Sequence, residues 1–183
     1  MPKKLRFREV ADEGLKLDLG TGKGANRPEG FLGVDIRKAP GVKVVDLRRR
    51  WPWKSGSVAE INAHYFMQYL TPGERIHVLN EAHRVLKPGG KMVIVSPHWC
   101  ASKAYGDPGA HYPPLAEAWF MMVSRDFREA QNFVIDGYEC DFDCTLGYLP
   151  HPALAPRAQE YVQNALNWYK EAAQDIAATL TKK

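Results

Sequence analysis

A glycine-rich turn and two acidic residues are the features of this sequence best suited to binding a ligand. The segment Leu17-Asp18-Leu19-Gly20-Thr21-Gly22 ends an apolar run, and its glycines let the backbone approach a bound molecule closely. Asp35 and Asp46 each stand at the end of a later apolar run. A carboxylate at Asp35 can accept hydrogen bonds from both hydroxyls of a ribose, and one at Asp46 can accept from an adenine amino group. Taken alone, each acid is more simply explained as a residue that caps a strand end and faces water. The glycine turn and the two acids in this order, however, favour a binding site.

Three histidines are candidates for proton transfer near neutral pH, the range in which an imidazole titrates: His64, His98 and His111. The stretch from His98 to Pro114 is rich in aromatic residues, glycine and proline, which predicts a loop over the substrate edge of the sheet. For each histidine a structural hydrogen-bonding role is the competing interpretation. The spacing of His98, Asp107 and His111 matches no strong metal-binding template, so no metal site is predicted.

The elements that position these residues alternate as expected for an α/β protein. Near-continuous runs of Val, Ile and Leu predict strands that are buried on both faces, as in a parallel sheet. The predicted strands are Leu15 to Leu19, Phe31 to Ile36, Val42 to Leu47, Val58 to Ala63 and Lys91 to Ser96.

Two helices are predicted in the rest of the chain. Thr71-Pro72-Gly73-Glu74 has the form of a capping box, and Lys87-Pro88-Gly89-Gly90 is expected to end the helix that starts there. A second, long helix is predicted at about 156–180, because apolar residues recur there every three or four positions. With 183 residues the chain is expected to form a single domain over 1–183.

The sequence from Leu15 to Pro97 resembles the class I S-adenosylmethionine-dependent methyltransferases. Leu17 to Gly22 resembles the first motif of that family, while Asp35 and Asp46-Leu47 fall where its later motifs fall. The segment from Arg84 to Gly90 resembles the helix–turn that precedes the fifth strand, and it is the most distinctive match.

This resemblance implies a Rossmann-like α/β fold, with helices on both faces of a seven-stranded, mostly parallel sheet whose final strand is antiparallel. It also implies S-adenosyl-L-methionine as cofactor, and methyl transfer to an unidentified acceptor. The resemblance assigns to the cofactor site Asp18, Gly20, Thr21, Gly22, Asp35, Ile36, Asp46, Leu47 and His64. Within this set Gly20 and Gly22 would pass the amino-acid end of the cofactor, Asp35 would hold the ribose, and His64 would lie near the sulfur.

The sequence departs from the family pattern between Asp18 and Asp35, which are too close for a full crossover helix. Arg27-Pro28-Glu29-Gly30 interrupts the same stretch, and the chain resembles a small subgroup with a shortened first crossover. Lys23 or Arg27 is expected to supply positive charge that a complete helix would otherwise provide.

Two other functions remain open. The same glycine turn suits a nicotinamide-dependent oxidoreductase, although the short crossover and the Lys87 to Gly90 turn argue against one. A non-catalytic S-adenosylmethionine-binding module, assembled through the C-terminal helix, would have the same fold.

Charge and composition narrow the partners. The net charge of +4 allows a nucleic-acid substrate without requiring one, and we favour a small-molecule acceptor. Trp51 or Trp53 is expected to shield the adenine, while Arg48, Arg49 and Arg50 face solvent or an anionic acceptor. No apolar run approaches membrane-spanning length, so no membrane partner is expected. Three cysteines suggest free thiols in the cytoplasm, and the oligomeric state stays open between a monomer and a homodimer.

Overall fold

A computed structural model describes residues 14–24 and 27–183, and its centre is one seven-stranded sheet in the order β3-β2-β1-β4-β5-β7-β6. β1 to β5 pair in parallel, whereas β7 runs antiparallel to both β5 and β6. The predicted seven-stranded sheet with an antiparallel final strand is therefore confirmed. The strands are β1 (Leu15–Leu19), β2 (Leu32–Asp35), β3 (Val42–Val44), β4 (Val58–His64), β5 (Leu86–Pro97), β6 (Phe142–Pro150) and β7 (Ala173–Lys182).

Five α-helices accompany the sheet in the described residues, besides the 3-10 helices Met67–Tyr69 and Pro152–Leu154, and the first is the longest. They are α1 (Pro72–Val85), α2 (Lys103–Gly106), α3 (Glu117–Met121), α4 (Arg125–Ala130) and α5 (Gln159–Trp168). α1 begins at the predicted capping box, in which the Thr71 hydroxyl accepts from the Glu74 N–H and the Glu74 carboxylate accepts from the Thr71 N–H at 2.8 Å. Its buried face includes Val78, Leu79 and Ala82, which fix α1 against the core.

The turn predicted at Lys87 to Gly90 lies inside a strand. α1 ends at Val85 and β5 begins at Leu86, which pairs with Val58. The next pair joins Glu60 to Lys91, so the intervening residues form a bulge with Gly89 at φ 72°. The expected helix stop is correct, but β5 starts five residues before the predicted strand because its first residue already pairs with β4.

The first crossover carries no helix in the residues that the structure describes between β1 and β2. Turns fill this stretch, and Arg27 extends across it so that its Nη1 donates to the Gly41 carbonyl at 2.8 Å. Arg27 therefore ties this stretch to the residue that precedes β3, and the positive charge expected from Lys23 or Arg27 stays a prediction.

The long C-terminal helix predicted at about 156–180 is wrong. α5 ends at Trp168, Glu171 adopts a left-handed φ of 67°, and the chain then enters β7. Ile176, Ala178 and Leu180 are buried at every second position, which is the period of a strand. The prediction failed because Ile176 and Leu180 also fit a helical spacing. Pairing of β7 with strands on both of its sides outweighs the helix propensity of its alanines.

Within residues 14–24 and 27–183, no helix has the length and apolar character needed to cross a membrane.

Candidate cofactor and acceptor sites

A cleft of ≈ 270 Å³ opens at the carboxyl ends of β1 to β4, where a parallel sheet ordinarily binds its ligand. Five residues of the predicted cofactor set line it: Gly20, Asp35, Ile36, Asp46 and Leu47. The other walls come from Arg37, Val45, Arg48, Tyr65, Phe66, Tyr69 and Leu70. The cleft thus combines two carboxylates with aliphatic and aromatic surface.

The glycine turn is held against β2 by backbone hydrogen bonds. The N–H groups of Gly20 and Thr21 both donate to the Val34 carbonyl, at 2.9 and 3.2 Å. Gly20 has φ 66°, and a Cβ there would lie only 2.5 Å from the Phe66 ring. Only glycine satisfies both conditions, so at Gly20 the backbone itself forms one wall of the cleft.

Asp35 fastens the glycine turn while facing the cleft. Its Oδ2 accepts from the Gly22 N–H at 2.9 Å, and its Oδ1 accepts from the Arg37 N–H at 2.8 Å and from Arg37 Nε at 3.3 Å. Burial raises the pKa of this carboxyl, but the hydrogen bonds from Arg37 and Gly22 outweigh burial and leave the pKa below its ordinary value. Asp35 is therefore ionised at neutral pH and preorganised as an acceptor.

Asp18 and His64 belong to the predicted cofactor set but do not line the cleft. Asp18 is buried, and its Oδ1 accepts from Asn62 Nδ2 at 2.6 Å, which ties β1 to β4 beneath the turn. His64 is exposed and stacks on Tyr65 with ring centroids 4.5 Å apart. Thr21 and Gly22 are likewise not among the residues that line the cleft, although the Gly22 N–H donates to Asp35.

Asp46 lines the cleft within a cluster of arginines. Arg48 Nε and Nη2 donate to its two oxygens at 2.8 and 3.1 Å, and Arg49 Nε lies 3.4 Å from Oδ2. These contacts, led by the side-chain hydrogen bond from Arg48, lower the pKa of Asp46 to about 2. The expectation that Arg48, Arg49 and Arg50 face solvent is confirmed, because all three are exposed. Arg48 and Arg49 also pair with Asp46, which the sequence did not predict.

The two tryptophans are core residues and do not line the cleft. Trp51 is 2% exposed, and its Nε1 donates to the Leu47 carbonyl at 2.9 Å. Trp53 packs edge-on against it with centroids 5.8 Å apart. The expected adenine shield is therefore wrong, since both indole rings lie behind Leu47 and gain more from burial than from a place on the open cleft.

A second cavity of ≈ 150 Å³ adjoins the cleft, and Tyr65 lines both spaces. Tyr65 follows β4 with a left-handed φ of 50°, two residues before the short 3-10 helix Met67–Tyr69. Lys103 Nζ lies 3.4 Å from the Tyr65 hydroxyl and 2.7 Å from Asp175 Oδ1. Sequence reasoning missed Lys103 and Asp175, because they come from separate elements that no motif connects.

His111 lines the second cavity, whereas His98 lines neither the cleft nor the second cavity. The His111 N–H donates to the Gln68 carbonyl at 2.8 Å, and Arg75 holds the His111 carbonyl at 2.9 Å. His98 is 3% exposed, with Nδ1 3.0 Å from Cys100 Sγ and Nε2 3.0 Å from Glu117 Oε1. A structural role therefore accounts for His98, while His111 stays a candidate for contact with a substrate.

Among the residues described, no group of three or more His, Cys, Asp or Glu side chains could hold a metal ion.

Solved structures of the same architecture are numerous. An S-adenosylmethionine-dependent methyltransferase from Archaeoglobus fulgidus superposes with a TM-score of 0.67 at 19% identity, covering 92% of this chain and 86% of that one. The 1,6-didemethyltoxoflavin-N1-methyltransferase of Burkholderia thailandensis, solved with S-adenosylhomocysteine, gives 0.56 at 14% identity over 93% and 71%. The [4+2]-cyclase SpnF gives 0.56 at 15% identity over 96% and 77%.

The chain has the class I methyltransferase fold. No family profile and no curated protein sequence matches it, so the likeness resides in the structure. The methyltransferase fold places the cleft beside the glycine turn and Asp35, at the carboxyl edge of the sheet. The cyclase has the same architecture, so the fold alone does not determine the reaction, which depends on the residues of the site.

Proposed function

We propose that this protein is an S-adenosylmethionine-dependent methyltransferase whose cleft binds the cofactor. The observation that carries the proposal is the cleft itself, in which the Gly20 turn, the ionised Asp35 and the apolar side chains of Ile36 and Leu47 meet on a methyltransferase fold. An adenosine needs a hydrogen-bond acceptor for its ribose and flat apolar surfaces for its base. The Asp35 carboxylate and the apolar side chains of the cleft meet these needs.

Each residue of the cleft has a separate part in this proposal. Asp35 accepts from the ribose hydroxyls, Ile36 and Leu47 flank the adenine, and Gly20 lets the amino-acid end pass the turn. Asp46 meets the adenine amino group only where Arg48 or Arg49 releases one of its oxygens, since both arginines pair with it. S-adenosylmethionine, when bound, supplies a methyl group on a sulfonium, and the remaining task of the chain is to orient the acceptor.

The acceptor is proposed to be a small molecule that enters at Tyr65. The second cavity adjoins the cleft there, and its lining combines apolar, aromatic, amide and charged side chains. A cytoplasmic location is part of the same proposal and is supported by three free thiols, at Cys100, Cys140 and Cys144.

Calorimetry with S-adenosylhomocysteine, NADH and NADPH tests the cofactor assignment directly. We expect the first compound to bind and the two nicotinamide cofactors to show no comparable binding. Asp35→Ala should weaken S-adenosylhomocysteine binding, whereas Asp126→Ala, which removes a carboxylate that is 80% exposed, should not. Tighter binding of either nicotinamide cofactor would refute the proposal.

Transfer itself needs its own measurement, because a cyclase shares the fold. The protein is incubated with methyl-labelled S-adenosylmethionine and a small-molecule extract, and label is followed into products by mass spectrometry. Binding of the cofactor without transfer to any small molecule would leave a non-catalytic binding module as the better description.

A further inference from the structure

The second cavity has the size and lining of a site for one small ring. It occupies ≈ 150 Å³, and its apolar surface comes from Pro97, Ala104, Pro114 and Leu115. An apolar cavity of about 150 Å³ accommodates a single benzene ring. A nucleotide or a two-ring system therefore exceeds the space available without rearrangement of the surrounding loop.

The charges on the cavity favour a cation. The charge of Lys103 on the lining is neutralised by Asp175, 2.7 Å away, and Asp107 is the one carboxylate among the lining residues. Asp107 accepts from the Tyr69 hydroxyl at 2.6 Å and from the Gly109 N–H at 2.8 Å, but no cationic side chain pairs with it in the described part of the chain. These hydrogen bonds, that of Tyr69 first, lower its pKa, so the carboxylate is ionised at neutral pH.

We propose that the second cavity binds the methyl acceptor as a single-ring primary amine, with Asp107 accepting from its nitrogen. This inference rests on the proposed function, since it takes the neighbouring cleft as the cofactor site. The amine binds as an ammonium and loses a proton to solvent before transfer. Its lone pair then forms the N–CH₃ bond, while the electrons of the breaking S–CH₃ bond stay on sulfur.

Four probes of matched chemistry test the amine assignment on protein saturated with S-adenosylhomocysteine. Benzylamine has one ring and a cation, benzyl alcohol lacks the charge, phenylacetate reverses it, and 1-naphthylmethylamine adds a ring. We expect benzylamine to bind at least about tenfold more tightly than the other three, as a hydrogen bond to a charged group is worth roughly ten- to a hundredfold in affinity. Equal or tighter binding of phenylacetate or the naphthyl compound overturns the proposal.

Two variants separate recognition of the amine from support of the loop. Asp107→Asn should weaken benzylamine binding about tenfold while leaving benzyl alcohol unchanged, because only the charge interaction is lost. Asp126→Asn, at a carboxylate of α4 that is 80% exposed, should weaken neither ligand. An equal loss for benzylamine and benzyl alcohol in Asp107→Asn would show a structural role only and would overturn the assignment.

The same titrations distinguish failure of this inference from failure of the proposed function. Absence of S-adenosylhomocysteine binding to the wild-type protein refutes the cofactor assignment. Normal S-adenosylhomocysteine binding, with no binding of benzylamine at millimolar concentration, refutes the amine site alone. Incubation with S-adenosylmethionine should then yield N-methylbenzylamine from wild-type protein, and its formation should fall in Asp107→Asn.

Discussion

The hydrogen bonds at Asp35 predict how much cofactor affinity this carboxylate contributes. Each carboxylate oxygen has about two acceptor positions. Oδ1 is filled by the N–H and the Nε of Arg37, whereas Oδ2 receives only the Gly22 N–H. One ribose hydroxyl can therefore bind at Oδ2 without rearrangement, and a second requires the Arg37 side chain to leave Oδ1.

This count gives a magnitude for Asp35→Ala. A hydrogen bond to a charged acceptor contributes about 1.5–3 kcal/mol, so losing one such bond weakens S-adenosylhomocysteine binding roughly ten- to a hundredfold. Arg37→Ala should behave differently. Its side chain is 79% exposed and its Nε contact is long at 3.3 Å, so the variant should bind at least as tightly as the wild type because one acceptor position on Oδ1 becomes free.

A double-mutant cycle with deoxyribose analogues assigns the contact. Calorimetry compares S-adenosylhomocysteine with its 2′-deoxy and 3′-deoxy forms on wild-type and Asp35→Ala proteins, after circular dichroism has verified the fold. If Asp35 binds the hydroxyls, removal of a hydroxyl should cost affinity in the wild type and little in Asp35→Ala. Fully additive losses would show that the carboxylate acts only through the Gly22 turn, and the ribose assignment would be refuted.

Three further predictions concern other parts of the site. Trp51→Ala should lower the free energy of unfolding by about 3–5 kcal/mol in denaturant titrations, because the ring is buried in the core, and a loss below about 1 kcal/mol would contradict this. The pKa of Asp46 is about 2, below its ordinary value of 3.8, so stability from its pairing with Arg48 should be present above pH 3.8 and lost as the pH falls towards 2. Arg48→Met should reduce that acid sensitivity, and an unchanged pH profile of unfolding would count against the pairing. Arg75→Met leaves three backbone carbonyls without their donor and should speed amide hydrogen exchange in 111–115, a result that an exposed control, Lys54→Met, should not reproduce.

The sequence predicted the parallel half of the fold well, because local signals there agree with tertiary pairing. β1 occupies the predicted residues, and the capping box at Thr71 starts α1 where expected. Apolar runs mark strands buried on both faces, and a cap is a short-range hydrogen bond, so both can be read without knowledge of distant residues. Near the C-terminus the spacing of the apolar residues Ile176 and Leu180 fits both a helix and a strand. The chain forms β7 there because two neighbouring strands provide partners that the segment itself does not reveal.

The cofactor cleft was predicted in part for the same reason. Gly20, Asp35 and Leu47 could be found from motif order, since the carboxyl ends of parallel strands share one edge. Side-chain pairing was not predictable: Asp46 is engaged by Arg48, and Trp51 turns into the core. Which of several nearby groups a flexible arginine or an indole contacts depends on distances that are set only when the elements pack.

The sequence by itself determined the order of the first five strands, the capped helix before β5, and the acidic residue Asp35 at the end of β2, because these depend on residue type and short spacing. The third strand ends at Val44, before the predicted Asp46. Only the tertiary structure decided that β7 inserts between β5 and β6, and that Tyr65, Lys103 and Asp175 meet beside a second cavity. Those contacts join residues far apart in the chain, and the free energy that selects them comes from packing and pairing across the whole sheet.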